Sequence, residues 1–188
     1  MNAPDERPMN GKHFLSVALT AAAAILSVVW RVIPHVPNTT PVGAMGLFAG
    51  ARLRWWQAAL LPLAVMAVSD ALLWRLFEKP PFDLWVYGSM LVNVALGAWL
   101  IRYGTLCCVG AGSVLASLQF FLVTNFGVWF RPDSIYPPTL PGLVTCYVEG
   151  LPFYGYTLAG DVLFSVVLFG AYALLTYAMD AKKEPVAA

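Results

Sequence analysis

The sequence predicts an all-α integral membrane protein, a helical bundle of six transmembrane segments with the second one short. Three observations predict it. Of the 188 residues, 60% are hydrophobic. Only 11% are charged, against roughly 25% in an ordinary soluble domain. The apolar residues also gather into runs near the roughly 20 residues that a helix needs to cross a hydrocarbon core about 30 Å thick. At this length the chain reads as one domain, a membrane bundle over residues 13–180. It is flanked by a polar tail expected to be disordered over 1–12 and a C-terminal tail over 181–188.

The first span is Phe14–Ile33. Lys12 followed by the Ala21–Ala24 run has the outline of a signal peptide, but the apolar stretch continues to spanning length, which predicts an uncleaved helix. The second is Thr40–Ala51 (TPVGAMGLFAGA), glycine-rich and opened by Pro41, a residue favourable at a first helical position. By itself it is either a short span or a re-entrant segment packed within protein. Trp55–Phe77, Leu84–Ile101, Thr105–Phe130 and Thr157–Met179 complete the set. The longest connection, Arg131–Thr157, carries Pro132, Pro137, Pro138, Pro141 and Pro152 with Tyr136, Tyr147, Tyr154 and Tyr156. Its middle, Gly142–Leu151, is expected to be a short helix lying across a pocket mouth.

Charge counting favours six crossings. With Thr40–Ala51 counted as a span, Arg7, Lys12, Arg52, Arg54, Arg102, Lys182 and Lys183 share one side. Arg31, Arg75, Lys79 and Arg131 take the other, among several acids. Seven basic residues against four places both termini in the cytoplasm by the positive-inside rule. Trp30, Trp74, Trp85 and Trp129 then fall near outer ends and Trp55, Trp56 and Trp99 near inner ends, as an interfacial belt requires.

Composition also excludes. The net charge is +1 with no basic run, which speaks against a nucleic-acid partner. Cys107, Cys108 and Cys146 lack ligand spacing, and His13 and His35 have no acid at metal-ligand spacing, so no metal or other cofactor is expected. There is no GxxxxGK[ST] phosphate loop, so any ATP coupling must come from a partner. Neither GxSxG nor HExxH occurs, and no catalytic residue is expected.

What remains is an internal polar set. Asp70, Asn93, Asn125 and Asp161 lie inside spans, where a charged group costs roughly 2.5–3.5 kcal/mol by insertion scales and usually faces a bundle interior or a watery cavity. At about 100° per residue, Asp161, Ser165, Tyr172 and Thr176 share a face, as do Ser113, Ser117 and Thr124 with Asn125 beside them. Gln119 points elsewhere by this count. Ser89 and Asn93 are one turn apart, Asp70 lies with Met66 and Trp74, and Ser16, Thr20 and Ser27 lead to Arg31. With the outer loops these residues predict a pocket near the outer surface. Arg31 and Asn38 would stand at its rim, with Asp70, Trp74, Asn93, Asn125, Glu149 and Asp161 inside. The competing reading makes the same residues helix-packing groups, with the two aspartates paired to Arg31, Arg75 or Arg131.

Four strings carry a resemblance: PNTTPVGAMGLFAGARL (37–53), MAVSDALL (66–73), FFLVTNFGVW (120–129) and YPPTLPGLVTCYVEGLPFYGYTLAGDVLFS (136–165). They resemble a family of small, uncharacterised bacterial integral membrane proteins. That family is in turn distantly similar to the substrate-binding S subunits of energy-coupling factor vitamin transporters. The resemblance implies a multi-pass protein of the bacterial cytoplasmic (inner) membrane. It implies a pocket near the outer surface, and docking onto a transmembrane coupling subunit served by ATPases. Ala18 and Ala22 are similar to the small-xxx-small docking motif of those subunits. No vitamin-specific signature is evident. The expected function is a membrane-embedded binding subunit, surrounded by lipid, for a small neutral or cationic solute. The alternative is a structural or assembly protein without a ligand.

Overall fold

The structure is a computed structural model and describes residues 11–78, 82–101 and 105–182. The tails 1–10 and 183–188 lie outside it, as do Lys79 and Arg102 from the charge count. The described residues form six α-helices and no strand: α1 Gly11–Val32, α2 Val42–Arg52, α3 Trp55–Phe77, α4 Leu84–Leu96, α5 Leu106–Phe130 and α6 Leu140–Ala181. A single π-helical turn, Gly97–Ile101, extends α4. Five of them, α1, α3, extended α4, α5 and α6, are long and apolar enough to cross a membrane. The chain is therefore built as a multi-pass membrane protein.

α1 and α3 run side by side in one direction. Val17 lies along the same seam as Leu61 near one end, Val28 along it with Val65 further on, and Arg31 pairs with Asp70 near the other end. Something must carry the chain back between them. That return is residues 33–41, without regular structure, followed by α2. At about 1.5 Å per residue, the 11 residues of α2 cover about 16 Å, half a hydrocarbon core. Every residue from Val42 to Ala51 is buried, and α2 touches all five other helices. A helix apolar on every side is a core helix, and α2 is the axis of this bundle.

Close backbone approach holds α2 in place. A side chain on Gly50 would meet the Val94 carbonyl, and one on Gly97 would meet Leu47, so α2 and α4 cross with almost nothing between them. Phe48 fills the other flank, edge-on to Phe169 at 5.1 Å and to Tyr172 at 5.7 Å. Lipid tails are as apolar as leucine, so dispersion contacts of this kind, rather than release of water, stabilise helix pairs in a bilayer. The Arg52 guanidinium lies 4.7 Å over the Tyr172 ring. At the same end Lys12 Nζ donates to Asp180 Oδ2 at 2.8 Å, so the first turn of α1 and the last of α6 stand together.

α6 corrects the expected division of residues 131–179. No separate short helix spans 142–151; one helix runs unbroken from Leu140 through Pro152 to Ala181. Its start is well made: Thr139 Oγ1 accepts from the Gly142 N–H at 3.3 Å, and Pro141 sits in the first turn, where its missing N–H costs nothing. Pro152 removes one internal bond, which membrane helices tolerate when neighbouring packing holds them. Here Cys146 and Gly150 give α6 a buried edge against α5, with the Tyr147 hydroxyl donating to the Leu122 carbonyl at 2.8 Å. At 42 residues α6 measures on the order of 63 Å. It is too long to lie wholly within hydrocarbon along the bilayer normal.

The hydroxyl stripes face inward, yet most of their bonds stay within their own helices; Ser117, which also donates across to Asp161 on α6 at 2.8 Å, is the exception described below. Ser16, Thr20, Ser27, Ser69 and Ser113 each donate to the carbonyl four residues back, at 2.7–2.9 Å. They act as small side chains with a satisfied polar atom, and admit close neighbours without tying helices together.

Candidate functional site

Because α2 is short, it fills one half of the bundle and leaves the other half unfilled. Above its first turn, at the end opposite the first turn of α1 and the last turn of α6, lies a chamber of about 220 Å³. Its lining includes Arg31, His35, Asn38, Asn93, Phe120 and Asp161. A second cavity of about 640 Å³ adjoins it, sharing Arg31, Asn38, Leu73 and Phe120 and adding Asp70, Asp83, Trp85 and Arg131. Arg31 and Phe120 thus stand where an inner and an outer chamber meet.

The inner chamber is floored by Asp161. It projects from α6 against the second residue of α2: a side chain on Gly43 would overlap its carboxylate. Only 4% of Asp161 is exposed. Ser117 Oγ donates to its Oδ2 at 2.8 Å, but the same hydroxyl hydrogen is shared with the Ser113 carbonyl at 2.9 Å. Asn93, 1% exposed, forms the wall. Gln119 Nε2 donates to its Oδ1 at 2.7 Å and to the Ser89 carbonyl at 3.1 Å. The Asn93 Nδ2 atom is buried with no partner. Gln119 does not point elsewhere, as simple 100° counting has it, but into Asn93. Helix rotation sets direction only relative to a partner, and α4 lies close enough for a long side chain to reach.

The outer chamber is electrostatically closed. Arg31 Nη2 pairs with Asp70 Oδ1, and the Tyr87 hydroxyl donates to Asp70 Oδ2 at 2.9 Å. Arg131 pairs with Asp83, which also caps α4 by accepting from the Trp85 N–H at 3.0 Å. Each arginine there is matched by one carboxylate.

Five of the eight sequence-derived candidates, Arg31, Asn38, Asp70, Asn93 and Asp161, are brought to these two chambers. Three are not. Trp74 is 55% exposed and lies outside both linings. Asn125 donates to the Phe121 carbonyl at 2.8 Å and packs on Gly150, so it belongs to the α5–α6 seam. Glu149 is exposed and accepts from the Tyr136 hydroxyl at 2.7 Å; that bond, with a smaller contribution from desolvation, pushes the Tyr136 phenol up to about 12. The unbroken α6 explains the last two, because it turns their stretch into a helix–helix seam rather than a lid. Gly43, Phe120 and Thr157 line the inner chamber without having been singled out. Phe120 has no polar signal, and Gly43 gains its meaning only from Asp161. Ala18 and Ala22 are exposed on α1, opposite the buried Ser16, Thr20 and Ser27. Among the described residues no three His, Cys, Asp or Glu side chains gather to hold a metal.

Residues 11–184 match a family whose description is "Family of unknown function (DUF6580)". The chain belongs to that family. No curated protein and no solved structure matches it. The match covers all six helices and both chambers, so both lie within the family region.

Proposed function

We propose that this protein is a membrane-embedded binding subunit that takes up a small solute in the two-chambered cavity and hands it to a transport partner. One observation carries the reading: polar side chains from α1, α3, α4 and α6 converge on a cavity left open because the central helix is half-length. A bundle that needed only packing would have no use for that void, since interiors otherwise pack to near crystal density. In this reading the cavity faces the outer side of a bacterial cytoplasmic membrane and both termini are cytoplasmic. The chain binds without chemistry on the solute. With no phosphate loop, the energy for uptake comes from a coupling subunit and its ATPases. The exposed Ala18 and Ala22 suit close approach of a partner helix.

The structural alternative draws on Asp70 and Asn125, each of whose side chains is satisfied inside the fold. Native mass spectrometry of the purified chain separates the two. A small molecule carried by the wild-type protein and lost from Asp161→Asn, with folding intact, supports binding. A bundle that never carries one, and whose loss alters only envelope integrity, supports the alternative. Replacing Ala18 and Ala22 with Trp is expected to abolish co-purification of the partner without changing solute retention.

A further inference from the structure

Both chambers together hold three carboxylates and two guanidinium groups among the described residues, and the matching is unequal. Asp70 is paired with Arg31 and Asp83 with Arg131. Among the described residues Asp161 has no cationic side chain within ion-pair distance, and it accepts one shared hydroxyl bond. His35, the remaining basic lining residue, is half-buried and sits with Nδ1 2.8 Å from the Ile33 carbonyl. The N-terminal end of α2, with Gly43 against the carboxylate, offers about half a positive charge, which is less than a full anion requires. A buried charge without a partner is costly. Asn93 lines the same chamber; its Nδ2 donor is covered and unpartnered, as is Oε1 of the Gln119 carboxamide bonded to it. A ligand acceptor would satisfy Nδ2 once the Asn93 carboxamide turns toward the chamber.

We infer that the inner chamber takes a small organic cation, with a protonated amine against Asp161 and a hydrogen-bond acceptor turned to the Asn93 carboxamide. This rests on the solute-binding reading above and narrows it. The remaining walls, Leu73, Met90 and Phe120, suit an apolar or aromatic body, as in most ligand sites where a few polar groups fix orientation. A metal ion fits poorly. It would need several oxygen ligands, and the Asn93 carbonyl oxygen is already taken by Gln119. An anionic solute would face the Asp161 carboxylate while the nearest arginine is engaged by Asp70.

The test uses three probes of one shape and different charge on the purified full-length chain: 3-(aminomethyl)pyridine, 3-pyridinemethanol and pyridine-3-carboxylate. Binding is read by calorimetry and by the shift in thermal unfolding. The ammonium probe is expected to bind roughly tenfold or more tightly than the alcohol, as charge-assisted bonds outweigh neutral ones, with the carboxylate weakest. Asp161→Asn should bring the ammonium and alcohol probes to within about twofold of each other. Asn93→Leu should erase the advantage of 3-(aminomethyl)pyridine over benzylamine, which lacks the ring acceptor. The wild-type comparison stands whether or not either variant folds. If the alcohol or the carboxylate binds as tightly as the ammonium, the cation assignment falls while solute binding survives. If none of the probes binds, the cation assignment falls too, and the native mass spectrum decides the broader reading independently.

Discussion

The two halves of this bundle are built on opposite principles. Around α2, packing is dense and almost wholly apolar, with glycine backbones in contact and aromatic edges interlocked. Beyond the first turn of α2, the same five outer helices enclose space lined by paired and unpaired polar groups. The difference comes from one short element. Where the central axis is helical it excludes everything else; where it gives way to residues 33–41, it leaves room for solvent or a ligand. Stability is concentrated in one half, and the polar cost is carried by the other.

The largest expected effect tests the dense half. Gly97→Val or Gly50→Val would drive a side chain into the backbone of the crossing helix. The loss should be at least about 3 kcal/mol, the upper end of ordinary overpacking, and appear as loss of monodisperse folded protein in detergent. Gly170→Ala, with nothing within 4 Å of the added carbon, should leave the elution profile unchanged.

The next effect belongs to the open half. Arg31→Ala strands Asp70, and should cost about 2–4 kcal/mol in thermal unfolding. That is somewhat below the penalty for breaking a fully buried pair, since the two side chains keep 18% and 12% exposure. The double variant Arg31→Gln with Asp70→Asn should recover most of the loss. Recovery would show that the pair is there to neutralise itself rather than to meet a ligand. Failure to recover would make the charges themselves necessary.

Asn93→Leu should change stability by less than about 1 kcal/mol. Gln119 keeps its bond to the Ser89 carbonyl, and removal of an unpartnered buried donor offsets the lost bond. A large destabilisation would mean that Asn93 belongs to the structural half after all.

The smallest effect lies at the surface, at Tyr136. Its phenol ionises at higher pH in the folded protein than when unfolded, so its bond to Glu149 favours the folded loop below the ordinary tyrosine range. That contribution is lost as pH rises from about 10 through about 12. In an ultraviolet titration, Glu149→Gln should move one tyrosine to lower pH and leave the pocket residues untouched.

Most of the helices were legible in the chain. Spans 14–33, 55–77, 84–101 and 105–130 match α1, α3, extended α4 and α5 to within a few residues, because twenty apolar residues have few other uses. The start of α6 was also written in Thr139 and Pro141, a cap and a first-turn proline. The many other prolines and tyrosines around it obscured that signal by pointing to a loop. Asp161 and Asn93 stood out because polar groups in long apolar runs need a reason.

What the sequence could not give was the partner of each group. Asp70 and Asp161 are alike as letters in apolar segments. One faces an arginine from α1, and the other meets a glycine of α2 and a serine hydroxyl of α5 at the floor of the inner chamber. Asn125 and Asn93 are likewise interchangeable on paper, yet one seals the α5–α6 seam and the other accepts from Gln119 in the wall of the inner chamber. Local sequence determines that a segment is helical and which face is polar, because both depend on near neighbours along the chain. Which polar face meets a charge, a backbone or a void is set by contacts tens of residues apart. Only the packing of five helices around a half-length sixth decides them.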